Sequence, residues 1–397
     1  MRKITGINDI SSQDPIKQVW KYLRSFHDES TTINRIRRVN PFSDSKNNKN
    51  IKKQAEQISY CIYQAEEYYE SAKHVTLATK PLLLYYGSIA LSQAVILFAN
   101  DGTSSFDSLR KNNKKWGHGL NSKFKNFPRN VKDMPLTDIL STIGAEIRRD
   151  EMGETFGQFG AFYKSIIPSA IIIPLKEVAK SITFDRKIPQ NTIDLTPIEK
   201  IRNELLTCLN LSLNLPDLFN HFHDIKVRPN LCQTRPSMER HIYYEDSKVS
   251  KITDKHNFII DAISNAEKKI FLDHLTLKES DFKTKLNIPN HLILTHTLNY
   301  MPNDKIKGYY PDLADNISGD IFIVVNPEKA FEETATLYML QYCLGTLCRY
   351  SPDIWMRLIS GSVVFREFID SLLQIIERKF PNLILDQLTE IKHHIHL

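Results

Sequence analysis

From Pro81 to Ala99 the chain runs for 19 residues without a charged side chain. That length matches the hydrocarbon layer of a bilayer, so the run is either a membrane span or the central rod of a protein core. Tyr85, Tyr86, Gly87, Ser88, Ser92 and Gln93 interrupt it, and no second run of the kind follows. These interruptions favour the core rod, because a helix apolar on all sides needs other elements to cover every side. The rest of the chain is expected to supply that cover, and no membrane contact is expected.

With 397 residues the chain exceeds the size at which single cores stop growing, roughly 250 to 300 residues, so two subdomains are expected. Hydrophobic residues at 41% and charged residues at 25% are ordinary for a folded protein, and Gly 13 with Pro 18 leaves little room for long disordered tracts. The net charge of +6 is a mild excess whose distribution matters more than its total. Cys61, Cys208, Cys232, Cys343 and Cys348 are odd in number and scattered through apolar helical patterns, which favours buried free thiols in a reducing compartment. The opening Met1-Arg2-Lys3-Ile4-Thr5 begins no apolar run, so a cytoplasmic location is expected.

Asp14-Pro15 followed by Val19, Leu23 and Phe26 predicts a capped first helix over residues 14–27. Residues 30–50 are polar, carry Arg35, Arg37, Arg38, Lys46 and Lys49, and read as an exposed basic loop. Between Lys52 and Thr76, the positions Ile58, Ile62, Ala65, Tyr69 and Ala72 step by 4, 3, 4 and 3, which is one helix face. Pro81 suits the first turn of the uncharged helix. Residues 101–132 read as a long polar connection and 135–147 as another helix. Gly153, Gly157 and Gly160, set among Phe156, Phe159, Phe162 and Tyr163, read as a flexible turn or irregular strand. Thr196-Pro197 opens a helix predicted to reach Leu211.

From Val227 to Val325 the runs shorten and become β-branched and aromatic; His291–His296 and Asp320–Val325 predict strands of a small sheet. Asn326-Pro327-Glu328 then caps a long helix, and helical spacing continues through Val363, Val364, Phe368, Leu372, Ile375 and Ile376. The expected fold is mainly α with a small inserted β-sheet (α+β), its helical core built from N- and C-terminal helices. The expected organisation is a helical region over 1–225, a β-containing insert over 226–326 and C-terminal helices over 327–397 that pack on the first region.

Local helix chemistry explains most of Arg349-Tyr350-Ser351-Pro352-Asp353-Ile354-Trp355. Arg349 complements the negative end of one helix, Ser351 caps the next, Pro352 takes its first position, Asp353 suits its positive end and Trp355 is a packing anchor. Only Tyr350 lacks such a reason; on a functional reading, Arg349 is presented to an anion. Lys80 sits at a helix start, where a cation is mildly unfavourable, so a carboxylate or phosphate partner is expected for it. Tyr85 and Tyr86 project roughly 100° apart, so at least one hydroxyl needs a partner inside the core. Lys80, Tyr86, Arg349 and Trp355 are therefore candidate site residues as well as packing residues.

The segments Leu337–Trp355 and Lys80–Ala94, with His118-Gly119-Leu120 between them, resemble signature stretches of the bacterial YaaC-like family. The resemblance covers most of the chain, most closely residues 52–120 and 328–360. It implies an architecture; it implies no settled activity and assigns no catalytic role to these residues.

The stretch Arg110–Lys132 holds eight Lys/Arg and no acid, interleaved with Trp116, Phe124 and Phe127. Such a mixture can hold phosphates and stack bases. Its candidate nucleic-acid contacts are Arg110, Lys111, Lys114, Lys115, Trp116, His118, Lys123, Lys125 and Arg129; the alternative is a solvated loop with anchoring aromatics. Arg235 and His241 match the arginine-to-histidine spacing of HEPN-type ribonucleases, in which arginine holds the scissile phosphate and histidine does acid/base work. Pro236 and the following Ile242-Tyr243-Tyr244 read instead as a loop entering a strand. His221 and His223 lack companions at metal spacing, and His393, His394 and His396 suit the last turn of a helix, so no metal and no cofactor are expected. No P-loop, nucleophile elbow or dinucleotide fingerprint is present.

Three functions of different class follow. The first is a cytoplasmic binding or scaffold protein in bacterial stress or anti-phage defence, meeting nucleic acid or a protein partner through its basic segment. The second is a HEPN-like ribonuclease toxin using Arg235 and His241. The third is a structural subunit of a larger complex, homo-oligomeric or mixed.

Overall fold

The computed structural model describes residues 6–39, 48–99, 105–112, 117–124, 134–149, 157–166, 212–215, 242–248, 253–260, 292–299, 313–315, 321–323 and 333–396. The chain divides into two compact units, one of residues 4–168, 206–234 and 332–397, the other of residues 1–3, 169–205 and 235–331. The fold is mainly α with small sheets, the α+β class expected.

In the helical unit, strand β1 (Gly6–Ser11) precedes α1 (Pro15–Arg24), which starts as predicted. Asp14 Oδ1 accepts the Lys17 N–H at 2.9 Å, Pro15 takes the first position, and Val19, Trp20 and Leu23 form the buried face. A 3₁₀ turn, Ser25–His27, leads into α2 (Glu29–Val39). This helix replaces part of the basic loop expected over 30–50. Asp28 Oδ2 takes the Thr31 N–H at 2.7 Å, Thr32 and Ile36 are buried one turn apart, and Arg35 lies 4.3 Å from the Phe26 ring centre. One capping carboxylate and one narrow buried stripe hold a helix that looks too polar by composition.

Helix α3 (Asn48–Lys73) buries Ile58, Ile62, Ala65, Tyr69 and Ala72, as their spacing requires. Helix α4 (Lys80–Ala99) is the uncharged rod, and by length and composition it could cross a membrane. Next come α5 (Phe106–Asn112) and β2 (Leu120–Phe124), both within the segment read as a polar connection. The predicted helix over 135–147 is instead α6 (Leu136–Ser141) followed by β3 (Ile143–Ile147). Strand β3 pairs antiparallel with β2 on one side and with β4 (Ser212–Asn214) on the other. Both partners are distant in sequence, so local periodicity could not reveal the strand. Helix α7 (Gly157–Ile166) stands where a flexible turn or irregular strand was expected.

In the second unit, β5 (Ile242–Lys248), β6 (Thr253–Ile260) and β7 (Leu292–Asn299) form an antiparallel sheet in that order, with Tyr244 opposite Phe258 and Ile259 opposite Ile293. Strands β8 (Leu313–Asp315) and β9 (Ile321–Ile323) make a separate antiparallel pair. The strands expected around His291–His296 and Asp320–Val325 are thus β7 and β9. The helix predicted from Thr196 and the cap at Asn326 lie outside the described residues.

Helices α8 (Glu333–Tyr350), α9 (Pro352–Gly361) and α10 (Val363–Thr389) return to the helical unit. Helix α8 is buried from Glu333 to Cys348 and packs along α4, with α3, α7 and α10 completing the cover. Each leucine or isoleucine withdrawn from water in this layer contributes about 1.5–3 kcal/mol. Helix α10 ends at Thr389 because Glu390 adopts a left-handed conformation (φ 57°). The chain then enters β10 (Ile391–His396), which pairs in parallel with β1, Gly6 opposite Ile391 and Ser11 opposite His396. His393, His394 and His396 therefore stand in a strand and not in a last helical turn. His393 is buried, its N–H and its Nδ1 2.9 and 3.0 Å from Asp386 Oδ1. Cys61, Cys343 and Cys348 are buried free thiols; Cys208 and Cys232 lie outside the described residues.

Candidate functional site

Successive residues on a helix point roughly 100° apart, and this separates the two tyrosines of α4. Tyr85 is buried against α8 and Tyr86 is half-buried. The close approach depends on Gly345, where a Cβ would lie 2.7 Å from Tyr85 Cβ and 2.9 Å from its ring. Tyr338 and Tyr342 meet the Tyr85 ring edge-on, with centroids at 6.1 and 5.7 Å. Tyr338, Tyr342, Gly345 and Arg349 step by 4, 3 and 4, so a single stripe of α8 carries all four.

His118 comes from the bend ahead of β2. The carbonyl oxygens of Gly117 and His118 accept the N–H groups of Gln158 and Phe159 at 2.8 and 3.0 Å, which satisfies the start of α7. The Gly119 carbonyl accepts the Arg148 N–H at 3.0 Å, and the Leu120 carbonyl accepts the Tyr342 hydroxyl at 2.9 Å. Gln158 Nε2 donates to the Ile89 carbonyl and to Ser92 Oγ on α4. Gly157 has φ +72°, and a Cβ there would stand 2.7 Å from the Gly117 carbonyl oxygen, so only glycine fits. The bend is thereby tied to α7, β3 and α8.

Held this way, His118 places Nδ1 2.8 Å from Tyr85 Oη, and its ring centre lies 5.9 Å from that of Tyr342. Burial, reinforced by Tyr338 and Tyr342, pushes the Tyr85 hydroxyl far above its ordinary value and keeps it protonated. Burial also pushes Tyr342 up to about 12. The His118 imidazole is held below its usual value, first by burial and then by the charge of Arg349. Arg349 is exposed at the end of α8. Its Nη1 donates to Tyr86 Oη at 2.5 Å, and its guanidinium lies 5.8 and 5.0 Å from the ring centres of Tyr86 and Tyr350. Tyr86 in turn stacks on Tyr68 at 5.6 Å. Among the described residues, neither His118 nor Arg349 is paired with a carboxylate. A neutral imidazole beside an uncompensated guanidinium suits an anionic, oxygen-bearing ligand.

Three separately predicted residues, Tyr86, His118 and Arg349, therefore fall in one cluster. Lys80 finds its partner in Glu377, Nζ to Oε2 3.1 Å, and that pair is largely buried. Trp355 donates Nε1–H to the Leu77 carbonyl at 3.0 Å, and Cys348 Sγ lies 2.9 Å from the Ala78 carbonyl oxygen, so both clasp the turn before α4. Ser351 precedes α9 without a side-chain cap bond. Arg110 and Lys111 are exposed on α5, Arg110 lying 5.5 Å from the Phe106 ring centre, while Lys123 pairs with Glu146 at 3.4 Å. Lys114, Lys115, Trp116, Lys125, Arg129, Arg235 and His241 lie outside the described residues. Among the described residues no group of three or more His, Cys, Asp or Glu is placed to hold a metal ion. Sequence reasoning missed Tyr342 and Gly345, although their spacing from Arg349 along α8 was legible.

The sequence model of a family described as YaaC-like Protein matches residues 21–135 and 187–388, which include Tyr85, Tyr86, His118, Tyr342 and Arg349. No curated protein and no solved structure matches the chain.

Proposed function

The chain belongs to the YaaC-like family, and we propose that it is a nucleic-acid-binding protein that holds a strand's phosphates at the Tyr86–Arg349 pair, beside His118. The observation that carries this reading is the convergence of an acid-free guanidinium and a neutral imidazole on one surface. Exposed Arg110 and Lys111 extend positive charge along the segment that also supplies His118. Strand capture of this kind is the activity through which such a chain would serve bacterial stress or anti-phage defence.

Fluorescence anisotropy with labelled single-stranded RNA and DNA at rising salt tests it. Binding should weaken steeply with salt, and Arg349→Ala should weaken it by about ten- to a hundred-fold, the worth of one charge-assisted hydrogen bond. Arg349 is exposed, so the variant should fold normally. Absence of salt-dependent binding, or equal binding by Arg349→Ala, would remove the reading. An assembled mass well above 46.0 kDa with no nucleic-acid binding would favour a structural subunit instead.

A further inference from the structure

We infer that His118 and Arg349 together form a catalytic site for phosphodiester transfer in RNA, which rests on the nucleic-acid reading above and gives it a substrate class. A general base needs a fixed orientation, one nitrogen committed and the other open. His118 has these properties. Its carbonyl oxygen is held by the Phe159 N–H, its Nδ1 by Tyr85, and its Nε2 makes no hydrogen bond to a described residue. With the hydrogen on Nδ1 donated to Tyr85 Oη, Nε2 keeps a lone pair. In that tautomer Tyr85 Oη is the acceptor. Arg349, braced by Tyr86, has the planar fork that suits the two non-bridging oxygens of a phosphodiester and their charge as it grows.

RNA carries its own nucleophile beside the phosphorus, so no second reactant has to be bound. Nε2 of His118 takes the proton of the 2′-hydroxyl, the 2′-oxygen forms a bond to phosphorus, and the bond from phosphorus to the 5′-oxygen breaks. The departing 5′-oxygen takes a proton from water, and the hydroxide left behind recovers the proton held by His118, so nothing is consumed. The products are a 2′,3′-cyclic phosphate and a 5′-hydroxyl. Tyr350, 61% exposed and stacked on Arg349, offers a face for a base next to the scissile phosphate.

The test uses the purified full chain with a mixed-sequence single-stranded RNA and the DNA of the same sequence, following binding and cleavage together. Both strands should bind, and only RNA should be cut, with cyclic-phosphate ends. His118→Ala should cut roughly 10²–10⁴-fold more slowly even at saturating RNA, and Tyr85→Phe should shift the acid limb of the pH–rate profile. RNA bound but uncut, equal cleavage by His118→Ala, or products with 5′-phosphate ends would overturn the catalytic inference and leave the binding reading in place. Failure of either strand to bind would remove both.

Discussion

The Tyr85 hydroxyl oxygen and the Nδ1 atom of His118 lie 2.8 Å apart, although 33 positions separate them along the chain. Tyr85 belongs to the rod at the centre of the helical unit, and His118 to a bend tied by backbone hydrogen bonds to α7 and β3. The contact carries the state of the buried core to a half-exposed ring, and the first prediction follows from it.

His118 is held below its ordinary value of 6.5 by burial and then by Arg349. His27 is also lowered, by burial, with Glu66 opposing and Arg24 assisting. As pH falls, the unfolded chain takes up these protons first, so stability is full above about 6.5 and declines as pH drops from there toward the folded-state values. Urea midpoints should fall across that window, and His118→Gln should flatten the slope. In NMR titrations, Arg349→Ala should move the His118 midpoint upward; an unchanged midpoint would show that the guanidinium charge does not reach the ring.

Gly345→Ala should destabilise the fold by about 1–3 kcal/mol, because its new Cβ would press on Tyr85 Cβ at 2.7 Å and neither helix can yield without disturbing the core. Gly117→Ala is the matched control, since nothing lies within 4 Å of a Cβ there, and it should change stability by less than about 1 kcal/mol. Equilibrium denaturation compares the two; equal effects would show that the α4–α8 approach is slack.

Lys379 and Glu333 form a buried ion pair between α10 and the start of α8, at 2% and 9% exposure. Lys379→Met should cost about 3–5 kcal/mol by removing one partner of a buried ion pair. The double variant Lys379→Met/Glu333→Leu should recover most of that loss in the same denaturation assay. A single variant as stable as the parent would mean that Glu333 is neutralised in another way.

How much could be read in advance depended on the range of the interaction. The face of α3 was legible because its five buried residues repeat at the helical period, and the start of α1 because Asp14 and Pro15 act within one turn. Helix α2 was not legible: Thr32 and Ile36 are its whole buried stripe, and its capping carboxylate, Asp28, precedes the polar run. Strands β3 and β10 escaped because their partners are β2 and β4 in one case and the first strand of the chain in the other. Tyr86, His118 and Arg349 were each marked out by residue type, but their meeting was not foreseeable, since spacing along a chain does not encode distance between elements.

By itself the amino-acid order determined that an uncharged rod without an amphipathic face needs apolar cover on every side. It also determined which residues carry reactive groups. Only the tertiary structure decided that the imidazole of one segment sits by the hydroxyl of a second and near the guanidinium of a third. Burial, backbone clamps and the absence of a Cβ at Gly345 set those distances, and each of the three arises from packing between elements and not from local sequence.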